Sequence, residues 1–379
     1  MSYLHPAIDP DGLLEYSVVF SDRSVNHMSA VFQAAMRRLS RSLRQVYQAE
    51  ALVVVPGGGT FGMEAIARQF AHRKRCLVLR NGWFSYRWSQ IFEAGEICES
   101  HAVLKAHPLR SGAEAPFVPA NLDQVVAKIV DEKPDLVFAA HVETSAGMIL
   151  PESYLEAVAK ATRSVGALFV LDCVASGAAW IDMKALGVDI LLTAPQKGWS
   201  STPCAGLVLL GARALQQLEQ SQSRSFAMDL KKWLQVMQAY ENGGHAYHAT
   251  LPTDALMLLD KTLLEMEDVG LAKLAERQWQ LGRRVRELLQ ERGFPSVAAP
   301  GFEAPGVVVS YCRDEGTQKG ARFLRAGIQS AAGVPLMCDE PQDFRTFRLG
   351  LFGLDKLLHV DRTVELLAKA LERLNQVAP

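Results

Sequence analysis

The sequence has no block of like charge, no CxxC pair and no long apolar run. Lys and Arg (40) nearly balance Asp and Glu (41), leaving a formal net charge of −1. They are spread along the whole chain, which argues against a nucleic-acid surface. No stretch approaches the ~18 apolar residues needed to cross a bilayer. The N-terminus, MSYLHPAIDPDG, has no basic region followed by an apolar one, so it is not read as a secretory signal. The C-terminus, NQVAP, matches no peroxisomal or reticular address. The six cysteines (Cys76, Cys98, Cys173, Cys204, Cys312, Cys338) are scattered, several within apolar strand-like runs. They read as reduced thiols, not as a disulfide framework or a zinc site, and cytoplasm is the expected compartment. Repeats and low-complexity segments are also missing.

What is present is the composition of a globular enzyme. The chain has 379 residues, 49% hydrophobic and 21% charged. It exceeds one minimal core and suits two packed domains or one large α/β unit. From about residue 28 amphipathic helical segments alternate with short apolar runs: ALVVVP, CLVLR, DLVFAAHVE, ALFVLD, DILLTAP and AGLVLLG. Near-continuous apolar strands separated by helices indicate a largely parallel sheet buried on both faces. After Pro252 the texture changes to one or two long helices over 253–293. The strand GVVVSYC, a helix TQKGARFLRAGIQSAAG, strand-like segments around VPLMC and FRTFRLG, and a closing helix from Asp355 to Gln376 follow. The expected division is an N-terminal arm (1–16), a large domain (17–268) and a small α+β domain (269–379).

Four features fall at predicted strand ends, where open α/β sheets place their ligands. Gly57, Gly58, Gly59 and Thr60 follow ALVVVP and precede a helix. Glycines permit a sharp turn, and a helix N-terminus offers free N–H groups to a phosphate. The stretch is not a Walker A loop, and a plain strand–helix turn is the competing reading. Asp172 ends ALFVLD and is placed to cap a helix, bind a metal or hold a protonated pyridine nitrogen. Gln196 and Lys197 follow DILLTAP. A lysine at a buried strand end is costly, whereas a desolvated amine close to a carbonyl forms a Schiff base. Asn81 to Arg87 (NGWFSYR) follow CLVLR and bring aromatics able to stack on a planar ring, or simply to pack in the core.

Taken together, these features resemble the class V aminotransferases among the fold type I pyridoxal-phosphate enzymes. The likeness is greatest to alanine–glyoxylate and serine–glyoxylate aminotransferases, with 2-aminoethylphosphonate transaminase a neighbouring relative. It runs from about residue 45 to the C-terminus. It is carried by PGGGTFGMEA, NGWFSYR, HVETSAG, LDCVASGAAWIDMKALGVDILLTAPQKG, YHATLP and FRLGLFG.

The resemblance implies a mainly parallel seven-stranded sheet sandwiched by helices, a small C-terminal α+β domain and pyridoxal 5'-phosphate as cofactor. Lys197 would be the Schiff-base lysine and proton shuttle, and Asp172 the partner of the ring nitrogen. Phe84 would stack on the ring, with Trp83 taking its place if the alignment slips by one, and Val174 would pack beneath it. Gly58, Gly59, Thr60 and Gln196 would cradle the phosphate, with Tyr247 and Thr250 reaching it from the other subunit of a homodimer. In Glu143-Thr144-Ser145 the hydroxyls of Thr144 and Ser145 would approach cofactor and substrate. Arg348 would grip the substrate α-carboxylate. The implied activity moves an amino group from a small amino acid to a small 2-oxo acid by a ping-pong cycle. The N-terminal segment departs from the family's pattern and offers Tyr16, Ser17, His27 and Met28 as pocket residues. His141 either faces the cofactor or is a core histidine. Cys338 raises a desulfurase-like alternative. A lyase, a 2-aminoethylphosphonate–pyruvate transaminase and a non-catalytic scaffold are the others.

Overall fold

The computed structural model describes residues 13–374; the first twelve residues of the expected arm and the end of the closing helix at Gln376 lie outside the described residues. The core is a seven-stranded sheet of β1 (Ala51–Pro56), β2 (Arg75–Arg80), β3 (Ser100–Lys105), β4 (Leu136–Ala140), β5 (Leu168–Asp172), β6 (Ile190–Thr193) and β7 (Ala205–Leu210). Their order is β1-β7-β6-β5-β4-β2-β3. Only β7 runs against its neighbours; β6, β5, β4, β2 and β3 pair in parallel. Every residue of β4 to β7 is buried. That explains why these strands read as unbroken apolar runs rather than as alternating patterns. The edge strand β3, which the periodicity did not reveal, is half-buried along most of its length.

Helices cover the sheet. Among them are α1 (Ala30–Tyr47), α2 (Gly59–Phe70), α3 (Trp83–Ala94), α4 (Leu122–Glu132) and α5 (Glu152–Ser164). Asn121 starts α4 by accepting from the backbone N–H groups of Asp123 and Gln124, which satisfies donors left open at a helix start. No helix among the described residues is long and apolar enough to cross a membrane.

The long segment after Pro252 forms two helices, α6 (Thr253–Val269) and α7 (Leu271–Glu291), separated at Gly270 with φ +97°. Beyond α7, the strands β8 (Val307–Tyr311), β9 (Ala331–Ala332) and β10 (Thr346–Gly350) make a three-stranded antiparallel sheet in the order β8-β10-β9.

Three expectations for this part are corrected. The single helix over TQKGARFLRAGIQSAAG is two short helices, Glu315–Gln318 and Ala321–Arg325, interrupted where Gly320 and Gly327 take positive φ. VPLMC is a turn, with Met337 and Asp339 left-handed and the Glu340 carboxylate accepting from Leu336, Met337 and Cys338 amides. The closing helix begins as Leu354–Leu358 and restarts at Val360.

Candidate active site

The residues singled out at strand ends converge beyond the C-terminal edges of the parallel strands. β5 ends on Asp172, whose Oδ1 accepts the Val174 amide at 2.9 Å. Burial raises the Asp172 carboxyl to about 6, and the charge of Glu143 pushes the same way. The guanidinium of Arg87 and the ammonium of Lys197 oppose that shift. A carboxylate held in this state gains from a cation brought to its face.

β6 ends at Thr193, and Lys197 sits in the turn that follows. Two features fix this turn. Gly198 packs on Gly177 so closely that an added Cβ would lie 2.3 Å from the Gly177 carbonyl oxygen. The fully buried Trp199 stacks on Trp180 with ring centroids 4.6 Å apart and meets Tyr47 edge-on. Ser200, at φ +54°, accepts the Leu354 amide at 2.7 Å, joining the lysine's turn to the segment after β10. Burial pushes the Lys197 ammonium below the usual lysine value. Asp172 opposes this; Arg348 and Arg87 reinforce it. Its Nζ lies 5.2 Å from the centre of the Phe352 ring.

The N-terminus of α3 is organised by Glu143, which has no solvent exposure. Its carboxylate accepts from the amides of Phe84 (3.1 Å), Ser85 (2.8 Å) and Ser145 (3.1 Å) and from the Ser85 and Ser145 hydroxyls (2.7 Å each). A negative charge there also complements the helix dipole. Gly82 permits this approach, because a Cβ there would lie 2.0 Å from Ser145 Oγ. The result presents the Phe84 ring to two guanidiniums, with Arg87 Cζ at 5.1 Å and Arg348 Cζ at 5.4 Å from its centre. Trp83, the alternative, packs its ring against Tyr86 instead.

At the start of α2, Gly57 takes φ +123°, and Gly58 offers no side-chain cap to the helix. A Cβ on Gly58 would meet nothing within 4 Å, whereas one on Gly59 would press on Val174. Thr60 Oγ1 accepts from Arg87 Nη1 at 2.9 Å. The side-chain oxygen of Gln196 is buried without a partner among the described residues. Arg348, on β10, is held by its Nε–H to the Ala332 carbonyl at 2.8 Å. Four residues later on the same extended segment comes Phe352.

Several expected residues are placed differently. Ser145 is fully buried, its hydroxyl accepting from the Trp83 amide and donating to Glu143. It therefore braces the α3 turn and does not face open space. Thr144 is also buried. Tyr247 and Thr250 are solvent-exposed and meet each other at 3.3 Å. Tyr16 is exposed, and Ser17 Oγ accepts from the Phe20 amide. Met28 is exposed, while His27 is buried against Phe20, His245 and Tyr247. His141 is buried and bonded to Ser176 Oγ at 2.8 Å; burial lowers it to about 4. Cys338 is buried, its thiol directed at the Arg80 and Leu336 carbonyls and raised to about 12, chiefly by burial. A buried thiol of raised pKa is a poor nucleophile, which counts against the desulfurase-like alternative. Arg87 and Phe352 carried no assigned role in the sequence, although both lie in motifs that the resemblance rests on.

These residues fit pyridoxal 5'-phosphate. Gly58 opens onto space at a helix N-terminus, a buried amide oxygen lacks a partner, a desolvated lysine and a buried carboxylate feel each other's charge, and an aromatic ring lies against the Arg348 guanidinium that also acts on that lysine. Comparison with known proteins agrees. A family model described as aminotransferase class-V matches residues 13–333. Alanine–glyoxylate aminotransferase 1 of Saccharomyces cerevisiae is 28% identical over 92% of this chain and 92% of its own length. A 2-aminoethylphosphonate–pyruvate transaminase of Pseudomonas aeruginosa is 28% identical over 85% of this chain and 82% of its own. The crystal structure of an alanine–glyoxylate aminotransferase from Nostoc sp. matches with a TM-score of 0.76 at 23% identity, over 92% of this chain and 89% of that one, a likeness of fold. The chain belongs to the class V aminotransferases and is a pyridoxal-phosphate-dependent aminotransferase of the α/β fold type I architecture.

Proposed function

We propose that the enzyme moves the amino group of a small amino acid, such as alanine or serine, to a small 2-oxo acid, such as glyoxylate or pyruvate, in a ping-pong cycle. One observation carries the reading. The desolvated Lys197, the buried Asp172 and the guanidinium of Arg348 share one electrostatic environment beside the Phe84 ring. The names of the relatives support the substrate class.

Bound pyridoxal phosphate supplies an electron sink for the pair left when a substrate Cα–H bond breaks. The protein's residues do the rest. Lys197 would hold the cofactor covalently and, once released, accept the Cα proton and return it, its basicity lowered by burial. Asp172 would pair its carboxylate with the ring nitrogen and favour its protonated form. Phe84 and Val174 would pack against the ring. Gly58, Gly59, Thr60 and Gln196 receive the phosphate. Arg348 forks onto the substrate carboxylate, for which a planar guanidinium is suited.

The exposed Tyr247 and Thr250 support a homodimer in which the partner subunit completes the phosphate site. The helix break at Gly270 supports a large and a small domain meeting there, and the free cysteines support a cytoplasmic setting. Spectral half-reactions test the activity. Alanine, serine and 2-aminoethylphosphonate are added one at a time to the purified holoenzyme, and conversion to the pyridoxamine form is followed. Alanine or serine should convert it within a catalytic lifetime; conversion by neither would refute the proposed donor class.

A further inference from the structure

Two guanidiniums approach the Phe84 ring, and the proposed reaction brings two anionic groups to the site, the cofactor's phosphate and the substrate's carboxylate. The two arginines are anchored differently. Arg348 is tied to the Ala332 carbonyl in the three-stranded sheet. Arg87 projects from the second turn of α3 and bonds Thr60 Oγ1, in the first turn of α2. Among the described residues Arg87 forms no salt bridge; its charge reaches the Asp172 carboxyl only at longer range. The helix start it faces has no side-chain cap, and Gly58 there opens onto empty space.

We propose that Arg87 is a phosphate-specific anchor of the cofactor site, acting with the N-terminus of α2 and the Thr60 hydroxyl. Arg348 is thereby left to the substrate. The inference rests on the seating of the phosphate at Gly58–Thr60 proposed above. An uncapped helix start gives neutral N–H donors and a partial positive charge. Arg87 adds a full charge and a planar pair of donors, the geometry that matches phosphate oxygens. A contact of this kind recognises the phosphate and not the pyridine ring. Its loss therefore discriminates between the phosphorylated and unphosphorylated forms of the cofactor.

The experiment resolves the holoenzyme to apoenzyme and titrates it with pyridoxal 5'-phosphate and, separately, with pyridoxal, following tryptophan fluorescence. Arg87→Met should weaken binding of the phosphorylated form about ten- to a hundredfold and leave pyridoxal binding unchanged. An equal loss for both would mean that Arg87 acts by holding Phe84 in place, and no loss for either would mean that it touches neither; both results overturn the proposal. If Arg87→Met does not fold, Arg87→Lys keeps the charge and stem but not the fork. It should show a severalfold loss confined to the phosphorylated form, and an unchanged ratio of the two affinities overturns the proposal. Wild-type protein that binds neither form would instead sink the proposed function itself.

Discussion

The backbone amide of Phe84 donates to Glu143 Oε1 at 3.1 Å, and through that bond a buried carboxylate sets the position of an aromatic ring. Glu143→Gln exchanges one acceptor oxygen for an N–H₂ group that must face other N–H donors. Hydrogen bonds to charged groups contribute about 1.5–3 kcal/mol each, so the variant should lose roughly 3 kcal/mol of stability. Chemical denaturation of the apoenzyme measures this. A loss under ~1 kcal/mol would show that the carboxylate is not what orders the turn.

Asp172 gives a pH-dependent prediction. Its folded carboxyl, raised to about 6, is costly to the fold when ionised. The penalty is full above that value, shrinks as pH falls towards the unfolded value near 3.8, and is absent below it. Asp172→Asn keeps the acceptor for the Val174 amide and removes the charge. The variant apoenzyme should therefore be more stable than wild type by about 3 kcal/mol at pH 8, with the gap closing by pH 4. Thermal melts at both values decide it, and a gap independent of pH would contradict the reading. The same variant, once loaded, should turn over far more slowly, since nothing then holds the ring nitrogen's proton.

Lys197→Ala should abolish the visible absorbance of the lysine-bound cofactor. Turnover should fall by roughly a thousandfold or more, the scale of a lost general base. Added primary amine that restores part of the rate would identify the missing group as an amine. A variant that kept its colour after dialysis would remove Lys197 from its role.

Gly198→Ala places a methyl group 2.3 Å from the Gly177 carbonyl oxygen. Backbone is on both sides of this contact, so no side chain can swing away. The expected cost is about 2 kcal/mol or more, together with reduced cofactor retention as the lysine's turn shifts. Gly58→Ala is the control: its added carbon meets nothing, so apoenzyme stability should hold while cofactor affinity falls.

Much of this molecule was readable before its structure, for reasons that differ from residue to residue. Strands β4 to β7 announced themselves because burial on both faces leaves them no polar positions. β3 escaped notice because an edge strand carries a mixed surface, as in SHAVLK. Asp172 and Lys197 were visible as costly residues at the ends of apolar runs. Arg87 was not, because an arginine near a helix's start is ordinary until Thr60 is found beside it. The partners of Ser145 were hidden for a related reason: a motif specifies residue types, but only the fold shows that Glu143 and Trp83 engage its hydroxyl. The helix expected over residues 317–333 is broken because Gly320 and Gly327 take left-handed conformations, which apolar spacing does not register.

Arg348 and Phe352 lie four residues apart on one extended segment, the first beside the Phe84 ring and the second beside the Lys197 ammonium. With the roles proposed for Arg348 and Lys197, the spacing acts as a ruler between the place where a substrate would be held and the place where its proton would be taken. Attempts to change substrate range by editing Arg348 alone would leave that ruler intact, whereas a one-residue insertion between the two would put the grip and the base out of step at once. Redesign of this enzyme for longer donors is therefore a problem of segment length before it is a problem of side-chain identity.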